Sequence, residues 1–256
     1  MLIDSHIHLD AAEFDPDRTV LIERARAVGV RGFVVPGVAR EGFAGLLSLA
    51  AARRDVCVAL GIHPLYVMRA AMEDLEILDA HLAAGEAHAV GEIGLDHFVA
   101  DVDPVRQLEF FRAQLRLARR HGLPVILHLR RAVDPILREL RRAGICGGIA
   151  HAFNGSRQQA EIFISLGFKL GFGGAMSYEG SSRIRTLART LPLSSLVLET
   201  DAPDIPPAWA PGQRNLPENL ARYAQVLAGL RDITEEEVVE TTGRNVQETL
   251  GGWRPR

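Results

Sequence analysis

A chain of 256 residues with 47% hydrophobic and 24% charged side chains can bury a full core, which excludes a low-complexity or disordered polymer. The formal charge of −3 at pH 7 lacks the basic footprint of a protein that grips long duplex DNA through phosphates. Nucleic acid therefore enters the reading only as a substrate held at a local site. No cationic leader stands before an apolar stretch at Met1-Leu2-Ile3-Asp4, and no apolar run is long enough for a bilayer. The expectation is a cytoplasmic protein without membrane association or an evident obligatory protein partner. Cys57 and Cys146 lie in apolar, strand-like runs and read as reduced structural thiols.

In chain order, apolar runs predict strands over Leu2 to His8, Gly32 to Val38, Cys57 to His63 and Ala89 to Asp96. Four more follow over Pro124 to Leu129, Gly147 to Phe153, Phe168 to Gly174 and Leu196 to Asp201. Helical periodicity fills the gaps: Thr19 to Ala27, Phe43 to Ala52, Leu75 to Ala83, Arg106 to His121, Val133 to Ala143, Gln158 to Leu166 and Ser182 to Leu191. Beyond Asp201, a Pro- and Gly-rich loop runs to Asn215 and is too long for a bare connection, which marks it as functional. Pro217 opens a helix to Leu230, and Thr234 with Glu237 offers a capping box for a last helix to about Leu250. Eight alternations without a strand-rich or helix-rich half predict an α/β fold, a single (β/α)₈ TIM barrel over residues 1–256.

The polar residues that end these runs carry the chemistry. Asp4-Ser5-His6-Ile7-His8 places two imidazoles on one side of an extended segment, half a chelate without further folding. Glu92, His128, His151 and Asp201 each stand where a later apolar run ends, at the barrel face where catalytic groups gather. One such histidine alone would be an ordinary hydrogen-bonded barrel residue; six matched positions favour a metal site. His121, ending a helix, reads as a complement to its dipole, and His81 and His88 as solvated surface residues.

Asp4-Ser5-His6-Ile7-His8-Leu9-Asp10, Gly61-Ile62-His63-Pro64, Gly91-Glu92-Ile93-Gly94-Leu95-Asp96, His128-Leu129-Arg130, His151-Ala152-Phe153-Asn154-Gly155-Ser156 and Glu199-Thr200-Asp201-Ala202-Pro203 occur in this order. Together they resemble the motif set of the TatD-type metal-dependent deoxyribonucleases, relatives of the amidohydrolases, in their YjjV-like branch. The resemblance spans the chain and implies two divalent ions per subunit, with zinc, manganese, magnesium, cobalt or nickel left open. It implies His6, His8 and Asp201 on one ion, His128 and His151 on the other, and Glu92 between them. Asp201 would be the general base, and a two-metal-activated water would cleave phosphodiester bonds, as a DNase or 3′-5′ exonuclease on single-stranded DNA or strand ends.

His63, Arg130 and Arg214 are weaker candidates for substrate contact, because the guanidinium fork suits phosphate. Glu199 is a candidate to orient a ligand from behind. Ser156 reads as a helix N-cap rather than an anion contact, and His97 as a site-lining residue that binds no metal. Leu129, Arg131, Ala152 and Asn154 depart from the commonest family pattern without removing a ligand. The same ligand set also suits hydrolysis of a carboxylic ester or amide, such as an aminoacyl bond or a small metabolite, or of a small phosphate ester. A non-catalytic metal-binding barrel is the remote alternative.

Overall fold

Each apolar run pairs with the next one along the chain, so sequence order becomes spatial order. The computed structural model describes residues 1–255. Its strands are β1 (Leu2–Asp4), β2 (Val30–Pro36), β3 (Val56–Leu60), β4 (Ala89–Asp96), β5 (Val125–Arg130), β6 (Gly148–Ala150), β7 (Phe168–Phe172) and β8 (Leu196–Leu198). Between them lie α1 (Arg18–Ala27), α2 (Phe43–Ala52), α3 (Glu73–Ala83), α4 (Pro104–His121), α5 (Val133–Ala143), α6 (Arg157–Ser165) and α7 (Ser182–Thr190), followed after β8 by α8 (Asn219–Arg231) and α9 (Glu235–Thr249). The strands form one parallel sheet in the order β1 to β8. The amide of Ser5 donates to the carbonyl of Leu198 at 3.0 Å and brings β8 against β1, giving a (β/α)₈ TIM barrel.

Inside the barrel Ile3, Val34, Cys57, Ala59, Ala89, Ile126, Ile149 and Val197 form one buried cluster. Val246 of α9 and Leu250 just past its end pack against it together with Trp253 and close the end opposite the strand C-termini. Asn245 fixes that lid by donating to the carbonyls of Leu193 at 2.9 Å and Leu196 at 2.7 Å. A larger shell that includes Phe33, Phe111, Phe163 and Tyr223 fills the space between strands and helices.

Helix punctuation follows the local chemistry. Asp103 caps α4 through the amide of Val105, and Gly122 ends it in the left-handed conformation. Ser156 and Gln159 make a reciprocal capping box on α6, the reading favoured for Ser156. Thr234 caps α9 by accepting from the amide of Glu237 at 3.1 Å.

Strand lengths differ from the sequence expectation in one direction. β1, β6 and β8 are each three residues long, and the predicted extensions to His8, Phe153 and Asp201 have left the ladder. The polar residues at these ends turn out of the sheet toward the mouth, where a continued strand could not carry them. Cys57 is buried as expected, whereas Cys146 is exposed in the connection before β6. Among the described residues no helix is long and apolar enough to cross a membrane.

Candidate metal centre

His6 and His8 follow β1, and Asp201 follows β8. The two segments are stitched by their backbones: Asp201 donates to the carbonyl of His6 at 2.8 Å, and His8 to that of Ala202 at 2.9 Å. Asp201 has φ of 56°, a left-handed conformation unusual for a residue with a β-carbon and one that Asp tolerates better than most. Its Oδ1 stands 3.5 Å from Nε2 of His6 and 3.6 Å from Nε2 of His8.

Glu92, buried in β4, faces both halves of the site with different oxygens. Oε2 lies 3.2 Å from Nε2 of His6 and 3.8 Å from Nε2 of His8. Oε1 lies 3.0 Å from Nδ1 of His128, 3.5 Å from Nε2 of His151 and 3.6 Å from Nε2 of His63. Three overlapping groups of donors result: His6 with Glu92 and His151, His6 with His8 and Asp201, and His63 with Glu92 and His128. His63 thus belongs to the centre itself, with Nε2 3.0 Å from Nδ1 of His128.

Carboxylates behind the centre hold these rings. Oδ2 of Asp96 is 3.0 Å from Nε2 of His128, which leaves Nδ1 to face Glu92. Asp96 is itself pinned, since its Oδ1 accepts from the amides of Phe98 and Val99 at 2.8 and 3.1 Å. Glu199 stands behind His151, with Oε1 3.4 Å from Nδ1 and accepting from the amide of Ala152 at 2.6 Å. Gly171 makes room for it: a β-carbon there would lie 2.1 Å from Oε2 of Glu199. Asp4, fully buried, accepts from the amide and hydroxyl of Thr200 at 2.9 and 2.6 Å, tying β1 to the Asp201 segment.

Burial and mutual proximity set the charges. Burial lowers His6 to about 3, reinforced by His151. Burial would raise Glu92, but the surrounding His6, His63 and His151 outweigh it and hold the carboxyl well below its usual range. Burial opposes the charge of His151, yet Asp201, Glu92 and Glu199 raise it to about 10. Asp201 is pushed up to about 6 by burial, against the pull of His151 and His8. Both ring nitrogens of His6 are buried and lack a hydrogen bond of good geometry among the described residues. Orphaned buried nitrogens are rare in folded proteins, and imidazoles with shared carboxylates are the donor set of borderline divalent ions. The residues therefore fit a metal site.

The centre opens into a cavity of about 940 Å³ lined by residues from the loops after several strands. Arg130 lies on its wall, with its guanidinium carbon 3.8 Å over the ring of Phe98. Sequence reading did not single out Asp96, Phe98, Thr200 or Arg183, all of which line this cavity. His97, expected at the site, is exposed and does not line it; its neighbour Phe98 does. Arg214 is not brought to the cavity either. It binds the carboxylate of Asp17, with Nη2 2.6 Å from Oδ2, and the carbonyl of Glu13, clamping the 202–215 loop onto the start of α1. The same loop is anchored by buried Asn215, which donates to the carbonyl of Thr200 at 2.7 Å.

The family description "TatD related DNase" matches residues 3–251. The chain is 42% identical over 246 residues, 95% of each chain, to a protein of Escherichia coli strain K12 named "Uncharacterized metal-dependent hydrolase YjjV". It is 32% identical over 238 residues, 90% of this chain and 91% of the relative, to the "3'-5' ssDNA/RNA exonuclease TatD" of Erwinia billingiae. The crystal structure of the Escherichia coli YjjV protein superposes with a TM-score of 0.92 at 41% identity, covering 97% of each chain. By fold, ordered motifs and overall similarity, the chain belongs to the TatD-related DNase family.

Proposed function

We propose that this protein is a metal-dependent hydrolase that removes nucleotides from single-stranded DNA in the 3′-5′ direction. The observation that carries the reading is the division of Glu92: one oxygen turned to His6 and His8, the other to His63, His128 and His151. A carboxylate shared in this way suits two divalent ions, with His6, His8 and Asp201 on one side, His128 and His151 on the other, and Glu92 contributing to both. When bound, such ions supply Lewis acidity at the phosphoryl oxygens and acidify water.

The remaining chemistry falls to side chains. Asp201, raised to about 6, accepts the proton of the water that attacks phosphorus. A P–O bond forms to that water, the bond from phosphorus to the 3′-oxygen breaks, and the proton returns to that oxygen. Asp96 and Glu199 keep the rings of His128 and His151 turned inward. Arg130, on the cavity wall, and His63 hold the non-bridging oxygens. The exonuclease named among the relatives supports the choice of a nucleic-acid strand.

The test is hydrolysis of single-stranded oligonucleotides labelled at the 5′ or the 3′ end by metal-stripped protein, with Mg²⁺, Mn²⁺ or Zn²⁺ restored. A stepwise ladder from the 3′ end, lost in Asp201→Ala and Glu92→Ala, is the expected result. Intact oligonucleotides together with cleavage of aminoacyl or acyl esters would replace phosphorus by carbonyl carbon as the target.

A further inference from the structure

The cavity is asymmetric in charge around the barrel. Asp201 and Asp204 stand on its wall after β8, and the buried Glu92, Asp96 and Glu199 are turned to the histidines, whereas Arg130 ends β5, Arg131 follows it and Arg183 belongs to α7, which follows β7. Because neighbours in sequence are neighbours in the barrel, the cationic wall covers the β5 to β7 side. None of these three arginines makes an ion pair with a carboxylate of the described residues. Each is instead steadied by a neutral group. Arg130 and Arg131 lie 3.8 and 4.5 Å from the ring centre of Phe98, an aromatic that is 46% exposed at the mouth. Arg183 donates through Nε and Nη2 to Oδ1 of Asn154 at 3.2 and 2.7 Å. A neutral anchor fixes a guanidinium without neutralising it, so its charge and remaining N–H groups stay available to an anion.

The backbone supports the same reading for Arg131. Its φ of 55° is left-handed, unusual for a long side chain, and it follows directly on Arg130 at the end of β5. The centre formed by Glu92 and the histidines accounts for one phosphate. A second arginine group on the β5 to β7 wall of the same cavity, about 940 Å³ in volume, leaves room for another anion.

We infer that Arg131 and Arg183 form a second phosphate subsite, which selects substrates carrying a phosphate next to the one that is cleaved. The inference rests on the phosphodiester reading above and deepens it: the preferred ligand is a nucleotide with phosphates on both sides of one sugar, the repeating unit of a strand.

Titration calorimetry with the Mn²⁺-loaded wild-type protein compares thymidine 5′-monophosphate with thymidine 3′,5′-bisphosphate, neither of which contains a phosphodiester bond. The bisphosphate is expected to bind at least about tenfold more tightly, as one charge-assisted contact to a guanidinium allows. In Arg131→Gln and Arg183→Gln that ratio should fall toward one, and Asn154→Ala, which frees Arg183 without removing it, should lower it part of the way. Circular dichroism and metal content matched to wild type separate this from misfolding. Equal affinities in the wild type, or variants that weaken both ligands alike, would overturn the subsite. Hydrolysis of a dinucleotide with and without a terminal phosphate distinguishes the two readings: a binding preference with neither dinucleotide cleaved leaves the subsite standing and removes the phosphodiesterase.

Discussion

Nε2 of His128 sits 3.0 Å from Oδ2 of Asp96, so the ring is held from behind while Nδ1 faces the centre. A ligand imidazole with a carboxylate on its far nitrogen has a fixed tautomer and a fixed direction. Two backbone amides and three groups in all hold Asp96 as an anion: burial raises it, but His128, Phe98 and Val99 bring it down to about 2.

Asp96→Asn keeps the shape and loses the charge. Metal affinity, read by competition against a calibrated chelator, should fall by about 10–100-fold with little change in Tm of the metal-free protein. Unchanged affinity would reduce Asp96 to a loop anchor for residues 98 and 99.

Restoring divalent ions should stabilise the folded chain by mass action. At a free concentration about 100 times Kd the gain is about 2.7 kcal/mol, which for a chain of this size raises Tm by about 5–10 °C. Differential scanning calorimetry of chelator-treated protein with and without Zn²⁺ or Mn²⁺ measures it. Glu92→Gln, which weakens the carboxylate shared by both halves, should remove most of the shift; a full shift in that variant would contradict its central place.

Gly171→Ala asks whether Glu199 matters where it stands. The new methyl would meet Oε2 at 2.1 Å and the carboxyl carbon at 2.5 Å, so Glu199 must leave the amide of Ala152 and the ring of His151. Urea unfolding should show a loss of about 1–3 kcal/mol, as overpacking in a core usually does, accompanied by weaker metal binding. Lost stability with undiminished metal affinity would separate Glu199 from the centre.

Away from the site, Arg112 grips buried Glu139 with two hydrogen bonds, at 2.8 and 3.0 Å, and joins α4 to α5. The Arg112 hydrogen bond is the main cause that lowers the pKa of Glu139 below its ordinary value. The pair therefore stabilises the fold fully above the unfolded-chain pKa, near 4.3, and loses that contribution as pH falls through the folded value. Glu139→Gln should unfold at a lower Tm than wild type at pH 7, and the gap should narrow as scans are repeated toward pH 3. A gap that widens on acidification would reverse the assignment.

The sequence made the barrel legible because each strand is a short apolar run and its neighbour in sequence is its neighbour in space. The candidate site residues were legible for the same reason, as polar residues among those runs, but only His6, His8, His151 and Asp201 lie past a strand end; Glu92 stands in the middle of β4 and His128 inside β5. What stayed hidden depends on partners distant in the chain. Asp4 meets Thr200 across 196 positions, and Asp96 meets His128 across 32, with no local pattern to announce either. Arg214 was misplaced by the same gap: an arginine in a Gly- and Pro-rich loop looks free to reach a substrate, but Asp17 holds it from 197 residues away. Phe98 was passed over because an aromatic after a strand ordinarily enters the core, and here it lies at the mouth.

The seam where β8 meets β1 also orders the assembly of the site in time. Glu92, His63, His128 and His151 come from β3 to β6, which pair in succession and need only local partners. His6 and His8 precede the rest of the site in the chain and must wait for Asp201, which reaches them through the Ser5–Leu198 and His6–Asp201 backbone bonds. Contacts of such wide separation form late, after the loop-closure cost has been met. A nascent chain thus displays the candidate donors of β3 to β6 before Asp201 arrives, and an ion captured early would sit on His63, Glu92 and His128, away from the half that holds the proposed base.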